Sequence, residues 1–382
     1  MNFRPTQARI DLRRLSENYR ALECRAERGA WVVPMVKANA YGHGSIFVSR
    51  ALRQCGAKAL GVALIEEGLQ LREDGDLKAV LIFSHFLDSA SAEAAVSQNF
   101  EVVVGSIPQL EVLANASRRL GPKIKVHIEL DIGMNRVGFE VAESASVAEW
   151  LARHPEVEVR SILTHLPEAE SREASLPQLQ LFALAYKPLE KLQVPVHIFN
   201  SAGIANLSAG DLSGVTLLHS VGLRPGLALY GVQPETDTGR KALDVNSVLE
   251  LRSQIVRLRH LRAGERVSYG GTWRAERDSI IGVVPCGYAD GYRRELSNGG
   301  SIALRGMRAK VVGTVCMDYF MTDLTDTVSK TGEVNCGEEV ILIGDLLPAN
   351  EVAKRCGTIA YEILTAISSR VPRIYINGGG AE

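Results

Sequence analysis

The sequence predicts an α/β protein: an N-terminal (β/α)8 barrel of the TIM type followed by a C-terminal, mainly antiparallel β domain. Three observations lead there. The chain has 382 residues, beyond the roughly 250–300 at which a single hydrophobic core stops growing. Eight short β-rich runs alternate with helix-like segments before residue 225, as parallel strands joined by crossover helices do. After the polar, turn-rich segment GVQPETDTGRK (231–241) the alternation stops. Long β-type runs joined by short Gly-containing turns take over.

Taken in order, barrel strands are expected near 31–36 (WVVPMV), 59–64 (ALGVAL), 79–83 (AVLIF), 101–104 (EVVV), 124–130 (IKVHIEL), 159–164 (VRSILT), 195–199 (PVHIF) and 215–221 (VTLLHSV). Between them, segments such as SIFVSRALRQCGA and IEEGLQLREDG space their apolar residues as a helix does and stop at a glycine. The second domain is expected to hold SVLELRSQIVRLRHL, SIIGVVPCGY, RAKVVGTVCMD and EEVILIG as strands. A helical pair near 350–368 and a last strand, RIYI, complete it, and the tail NGGGAE is expected to be disordered. The division is set at 1–238 and 239–382, with a first strand at about 6–12 free to pack on the second domain.

Composition narrows the function classes. The chain is 46% apolar and 23% charged, with a net charge of −1, so no basic footprint suggests nucleic acid or an anionic membrane surface. The N-terminal segment MNFRPTQARIDLRRLSENYR carries charges where a secretory signal has an apolar core. A cytoplasmic protein is expected. Six cysteines at 24, 55, 286, 316, 336 and 356 form no CxxC pair, which reads as free thiols, with no metal site.

A barrel does its chemistry at the C-terminal ends of its strands. Lys37 and Tyr41 follow the first expected strand, DIGMNR (131–136) the fifth, Thr164-His165 the sixth, Asn200-Ser201 the seventh, and Arg224-Pro225-Gly226 the eighth. One lysine at a strand end is most often a surface residue. Lys, two Arg, His, Tyr, Asn and Ser on one rim make a reactive site the better reading. A lysine among arginines suits Schiff-base catalysis. Pyridoxal phosphate would use that lysine for its aldehyde, donors for its phosphate and a partner for its ring nitrogen. Gly226 and Leu227 suit an anion, since glycine lets backbone amides approach closely. HExxH, P-loop and GxGxxG patterns are absent from the sequence.

The stretch VVPMVKANAYGHG (32–44) resembles the cofactor-attachment motif of the pyridoxal-phosphate-dependent alanine racemases. So do DIGMNRVGF, THL, NSAG, VGLRPGLALYG, VSYGGTW, VPCGYADGY, GTVCMD and YEILTAISSRVPR, in the family's order from residue 131 to 373. The resemblance implies roles. Lys37 would bind pyridoxal 5'-phosphate and serve as one base. Tyr269 would be the base on the opposite face, lent by the other subunit of a head-to-tail homodimer with shared active sites. Tyr41, Ser201, Gly226, Leu227 and Tyr361 would hold the phosphate, with Asn200 beside them. His165 would pack near the cofactor ring, and Arg224 would face its nitrogen. Arg136 would neighbour Tyr269, and the Met317 backbone would meet the substrate carboxylate. Tyr288 and Arg294 would lie at the entrance. The product would be D-alanine for peptidoglycan. His43, His85, His127, His154, His197, His219 and His260 match no motif role and read as structural.

Arg224 is informative physically. An arginine does not give up its proton, so a ring nitrogen facing it stays unprotonated and the ring is a weaker electron sink. An acidic partner there would point to transaminases or decarboxylases. Competing readings are a racemase for serine, lysine or a broad range, a related decarboxylase, and a non-catalytic cofactor-binding protein. The last lacks any use for the domain that carries Tyr269. The sequence also departs from many family members, which hold a lysine that becomes a carbamate two residues before the motif aspartate. Here that position is Glu129, expected to pair with Arg136.

Overall fold

The structure is a computed structural model that describes residues 3–212, 220–237 and 243–378. Strand β1 (Gln7–Asp11) opens the chain. β2 (Ala59–Val62), β3 (Ala79–Ile82), β4 (Glu101–Val104), β5 (Ile124–Leu130), β6 (Val157–Thr164), β7 (Val196–Phe199) and β8 (Val221–Leu223) then form, among the described residues, one parallel sheet in sequential order. Helices follow most of these strands, as crossover geometry requires.

The first expected strand is not regular. Pro34 has no amide to donate, so a continuous ladder cannot run through it. Val32 bridges Leu223 of β8 and Met35 bridges Gly61 of β2, both parallel. The segment closes the barrel by isolated contacts, among them Val33 N to Leu223 O at 2.9 Å and Gly61 N to Pro34 O at 3.0 Å. The eighth strand is Val221–Leu223, later than the expected 215–221, and residues 215–219 of that expectation lie outside the described residues.

Beyond the barrel lie β9 (Leu249–Gln254), β10 (Arg257–Leu261), β11 (Arg266–Val267), β12 (Trp273–Arg274), β13 (Ser279–Val284), β14 (Ser301–Leu304), β15 (Met307–Val312), β16 (Phe320–Asp323), β17 (Glu339–Ile343) and β18 (Arg373–Ile376). Among the described residues the larger sheet runs β10-β13-β16-β15-β14-β17-β9-β1-β18. Its pairs are antiparallel except β1 with β18. Strand β1 joins this sheet, so the chain's first strand is part of the second domain's fold. The helices expected near 350–368 are Ala349–Arg355 and Ala360–Thr365. The second of them carries Tyr361 to the barrel rim. The expected domain division at 238 and residues 379–382 of the tail lie outside the described residues.

The core is charged with neutral histidines. His43, His127 and His197 are fully buried. Burial lowers His43 to about 4 and His165 to about 3, and holds His127 and His197 below the ordinary histidine range. All four folded values lie below the unfolded value of 6.5. As pH falls, the unfolded chain therefore takes up protons that the folded chain cannot. Stability should be full above 6.5 and decline towards about 4 for His43 and about 3 for His165. Each histidine contributes about 1.4 kcal/mol per pH unit within its window. Thermal unfolding followed through this range should show a falling midpoint; a flat midpoint would contradict neutral burial.

Candidate active site

Lys37 opens a turn of unusual backbone. Ala38, Asn39, Ala40 and Tyr41 all have φ of 52–53°. A left-handed run costs roughly 1–2 kcal/mol per non-glycine residue, so its surroundings must hold it. Ala38 N donates to Glu67 Oε1 at 2.6 Å and Ser45 N to Asn39 Oδ1 at 2.9 Å. His43 Nδ1 contacts the carbonyls of Ala40 and Tyr41 at 3.0 and 2.9 Å, which gives that histidine its structural use. The second domain clamps the exit: Arg373 Nε donates to Gly42 O at 3.0 Å. A Cβ at Gly42 would fall 2.3 Å from Leu364 O, at a φ of +81°.

The turn delivers Lys37 to a cavity of about 630 Å³ at the C-terminal mouth of the barrel. Tyr41, Arg136, His165, Asn200, Ser201, Arg224, Gly226 and Tyr361 share its wall. Leu227 lies on an adjoining cavity of about 470 Å³ that shares Asn200, Ser201 and Tyr361. Ten of the residues expected at the site are thereby gathered in one place. Burial, then the Arg136 charge, lowers the Lys37 ammonium from its ordinary value, with Glu67 opposing and Arg224 assisting. The same charges, Arg224 first, join burial in keeping His165 neutral.

Arg224 sits at the floor, 4% exposed. Its Nη2 donates to Thr164 O at 2.5 Å and Ile198 O at 3.3 Å, and its Nη1 to His197 O. Burial pushes it down to about 10, partly offset by Glu129, so it keeps its proton at neutral pH. Nearby, the Ser201 hydroxyl accepts from Gly226 N and Ala228 N, each at 3.1 Å. A Cβ at Gly226 would lie 2.6 Å from the Tyr41 hydroxyl, so a larger residue there would have to displace that buried ring. The Tyr41 ring packs at a tilt against those of Tyr230 and Tyr361, with centroids at 5.0 and 5.8 Å. Asn200 Oδ1 accepts from Gly203 N at 2.9 Å, capping the helix Ser201–Asn206.

Glu129 departs from expectation. It is buried on the cavity wall, but among the described residues the side chain facing its carboxylate is the His85 imidazole, with Nε2 at 3.4 Å and no hydrogen bond formed. Arg136 lies on the exposed loop that returns to β5 through Phe139 N to Glu129 O at 2.8 Å. Arg136 still lines the cavity with Glu129, but among the described residues the two form no ion pair, so the expected Glu129–Arg136 pair is not made. The sequence reads His85 as structural; the path of the loop after β3, which places it here, is not written in its own residues.

Tyr269, Tyr288, Arg294 and Met317 are not brought to this cavity. They lie on the second domain, with Tyr269 75% exposed and Tyr288 and Met317 also exposed. Tyr269 stands on a stiff turn: Ser268 has φ of 66°, its hydroxyl donates to Thr314 O at 2.6 Å, and Thr314 Oγ1 donates to Tyr269 O at 3.0 Å. Tyr288 N and Ala289 N donate to Cys316 O and Met317 O at 3.1 Å each, joining Tyr288 and Met317 into one patch.

Comparison with known proteins gives a consistent picture. Residues 10–234 match the family model for the alanine racemase N-terminal domain, and residues 248–375 that for the alanine racemase C-terminal domain. The chain is 37% identical to the alanine racemase of Sorangium cellulosum, covering 98% of this chain and 99% of that one. It is 36% identical to that of Geobacter sulfurreducens, covering 99% and 98%. Among solved structures, the alanine racemase of Streptomyces lavendulae superposes with a TM-score of 0.88 at 30% identity, covering 99% and 98%. That of Bartonella henselae, with covalently bound pyridoxal phosphate, gives 0.85 at 29% identity, covering 97% and 99%.

Proposed function

The chain belongs to the alanine racemase family, and on that premise we propose that it interconverts L- and D-alanine by moving the α-proton between two bases on opposite faces of the substrate. The observation that carries this reading is a lysine with lowered proton affinity on the wall of the same cavity as a fully buried arginine.

The site fits pyridoxal 5'-phosphate. Lys37 would join its aldehyde, and Arg224 and His165 would hold its ring. Tyr41, Ser201, Gly226, Leu227 and Tyr361, with Asn200, would take its phosphate, where the space a Cβ at 226 would fill is needed. When bound, the cofactor supplies an electron sink that makes the α-proton of the amino acid removable. Lys37, whose proton affinity is lowered by burial and then by the Arg136 charge, takes or returns that proton on one face. A second base is required on the other face, since a single one returns the proton to the side it left.

Tyr269 is the proposed second base, supplied by a partner subunit. An aromatic ring three-quarters exposed on a strained, hydrogen-bonded turn is poised for contact with another surface. Tyr288, Met317 and Arg294 would come with it to the entrance and the substrate carboxylate. The barrel of residues 1–238 would keep the cofactor, and residues 239–382 would complete the partner's site. A cytoplasmic location and D-alanine supply to peptidoglycan belong to the same reading. Among the described residues, no helix is long and apolar enough to cross a membrane.

Purified protein loaded with the cofactor should bring either alanine enantiomer to an equal mixture, measured by chiral chromatography. An enantiomer left unchanged by cofactor-loaded protein would overturn the assignment.

A further inference from the structure

Arg224 is a buried cation, and among the described residues no carboxylate forms an ion pair with it. A buried charge without compensation is costly. The compensation runs through the barrel interior. Arg224 Nη1 lies 3.1 Å from His197 Nδ1. His197 Nε2 lies 2.7 Å from Ser161 Oγ, and Ser161 Oγ 2.6 Å from His127 Nδ1. His127 Nε2 lies 2.9 Å from Glu101 Oε2. Four successive strands, β4 to β7, each contribute one member. His127, Ser161 and His197 are fully buried, and Glu101 is 4% exposed.

Only one arrangement of protons satisfies this chain. Arginine has donors and no acceptor, so His197 Nδ1 accepts and its Nε2 carries the hydrogen. That hydrogen goes to Ser161 Oγ. The serine hydroxyl then donates to His127 Nδ1, and His127 Nε2–H donates to the Glu101 carboxylate. Every member is satisfied with both imidazoles neutral, Glu101 ionised and Arg224 charged. The directions of proton affinity agree. Burial lowers both histidines. Burial opposes ionisation of Glu101, but the hydrogen bond from His127, with the nearby Arg160 and Lys125 charges, outweighs it. Aligned hydrogen bonds polarise one another in a low-dielectric interior. The barrel also keeps room for the chain: a Cβ at Gly222, opposite His197 in β8, would fall 2.8 Å from His197 Cβ and 2.8 Å from Trp31 O.

We propose that Glu101, His127 and Ser161 are positioning residues that act through His197 to fix Arg224 as a hydrogen-bond donor at the cavity floor. They touch neither substrate nor cofactor. Glu101 also lines a separate cavity of about 540 Å³ with Trp31, Lys58 and Arg160. It is thus the far anchor, opposite the mouth. The consequence for reaction rests on the racemase reading; the proton arrangement does not.

The test uses the full chain loaded with cofactor and labelled with ¹⁵N in its histidine rings. In the wild type, His197 and His127 should each show a protonated Nε2 and an unprotonated Nδ1 at neutral pH. Ser161→Ala should change the His197 ring signals and lower kcat by about tenfold, the worth of one lost hydrogen bond to a polar network, while KM for alanine stays within about twofold. Ser161→Thr, which keeps the hydroxyl, should restore both. Glu101→Gln keeps an acceptor for His127 but removes the charge. It should shift the cofactor's visible absorption and lower kcat, which a purely structural carboxylate would not do. A protonated Nδ1 on either histidine would overturn the proposal. So would unchanged spectra and kcat in Ser161→Ala and Glu101→Gln. If Ser161→Ala does not fold, the wild-type ring tautomers and Glu101→Gln decide between the same outcomes. A protein with the expected ring tautomers but no action on alanine would sink the racemase reading and leave the chain standing.

Discussion

Lys37→Ala should abolish racemisation and covalent retention of the cofactor together. The loss includes a proton-transfer contribution of about 10²–10⁴-fold and, in addition, the covalent anchorage that no other residue on the cavity wall offers. Among the residues lining that cavity, Lys37 is the one lysine. Borohydride treatment of wild-type protein, followed by peptide mapping, should place the reduced adduct on Lys37. An adduct on Lys58, Lys354 or any other lysine would mean that the left-handed turn from Ala38 to Tyr41 presents the wrong group. The fold should survive the change, because among the described residues the Lys37 side chain makes no hydrogen bond that holds the turn; Glu67, Asn39 and His43 do that.

Tyr269→Phe should lower racemisation by about 10²–10⁴-fold, the usual worth of a general acid–base group, without releasing the cofactor. Its signature is more specific than the rate. With Lys37 intact, one enantiomer should still exchange its α-hydrogen with solvent and keep its configuration, while the other should not exchange. Exchange of both enantiomers at wild-type rates would remove Tyr269 from the mechanism. Mixing Tyr269→Phe with Lys37→Ala protein should restore partial activity once subunits exchange, because one site of each heterodimer then holds both bases. Persistent inactivity in a demonstrated heterodimer would argue that the two groups serve a single chain's site.

The sequence made the barrel legible where strands are apolar runs bounded by glycine or polar turns, as at Ala59–Val62 and Glu101–Val104. It misjudged the closing segment because WVVPMV has the composition of a strand, whereas Pro34 withholds the amide that a ladder needs. In the second domain, Ser301–Leu304 and Phe320–Asp323 escaped notice. Each is four residues long, too short for alternation to stand out from its turns. The rim residues were legible because a barrel's chemistry gathers at strand ends, and the ordered motifs named them.

What could not be read was the inward side of the strands. His127 and His197 look like the polar half of an alternating pattern until the sheet curls round and turns them inside. Their register against Ser161 and Gly222 then makes them partners rather than fillers. Glu129 shows the complementary limit. Its direction into the cavity follows from alternation, but its neighbour does not, because His85 arrives on a loop whose course depends on packing at Gly105 and Gly138.

The central claim is two bases on two faces, and incubation of the wild-type protein with L-alanine in deuterated water tests it most directly. Chirality and α-deuterium are followed together at early times. The D-alanine first formed should carry deuterium at the α-carbon, since the proton taken on one face is not the one delivered to the other. D-alanine that retains the original hydrogen would mean a single base carrying one proton between faces, and would contradict the assignment of Lys37 and Tyr269 to opposite sides.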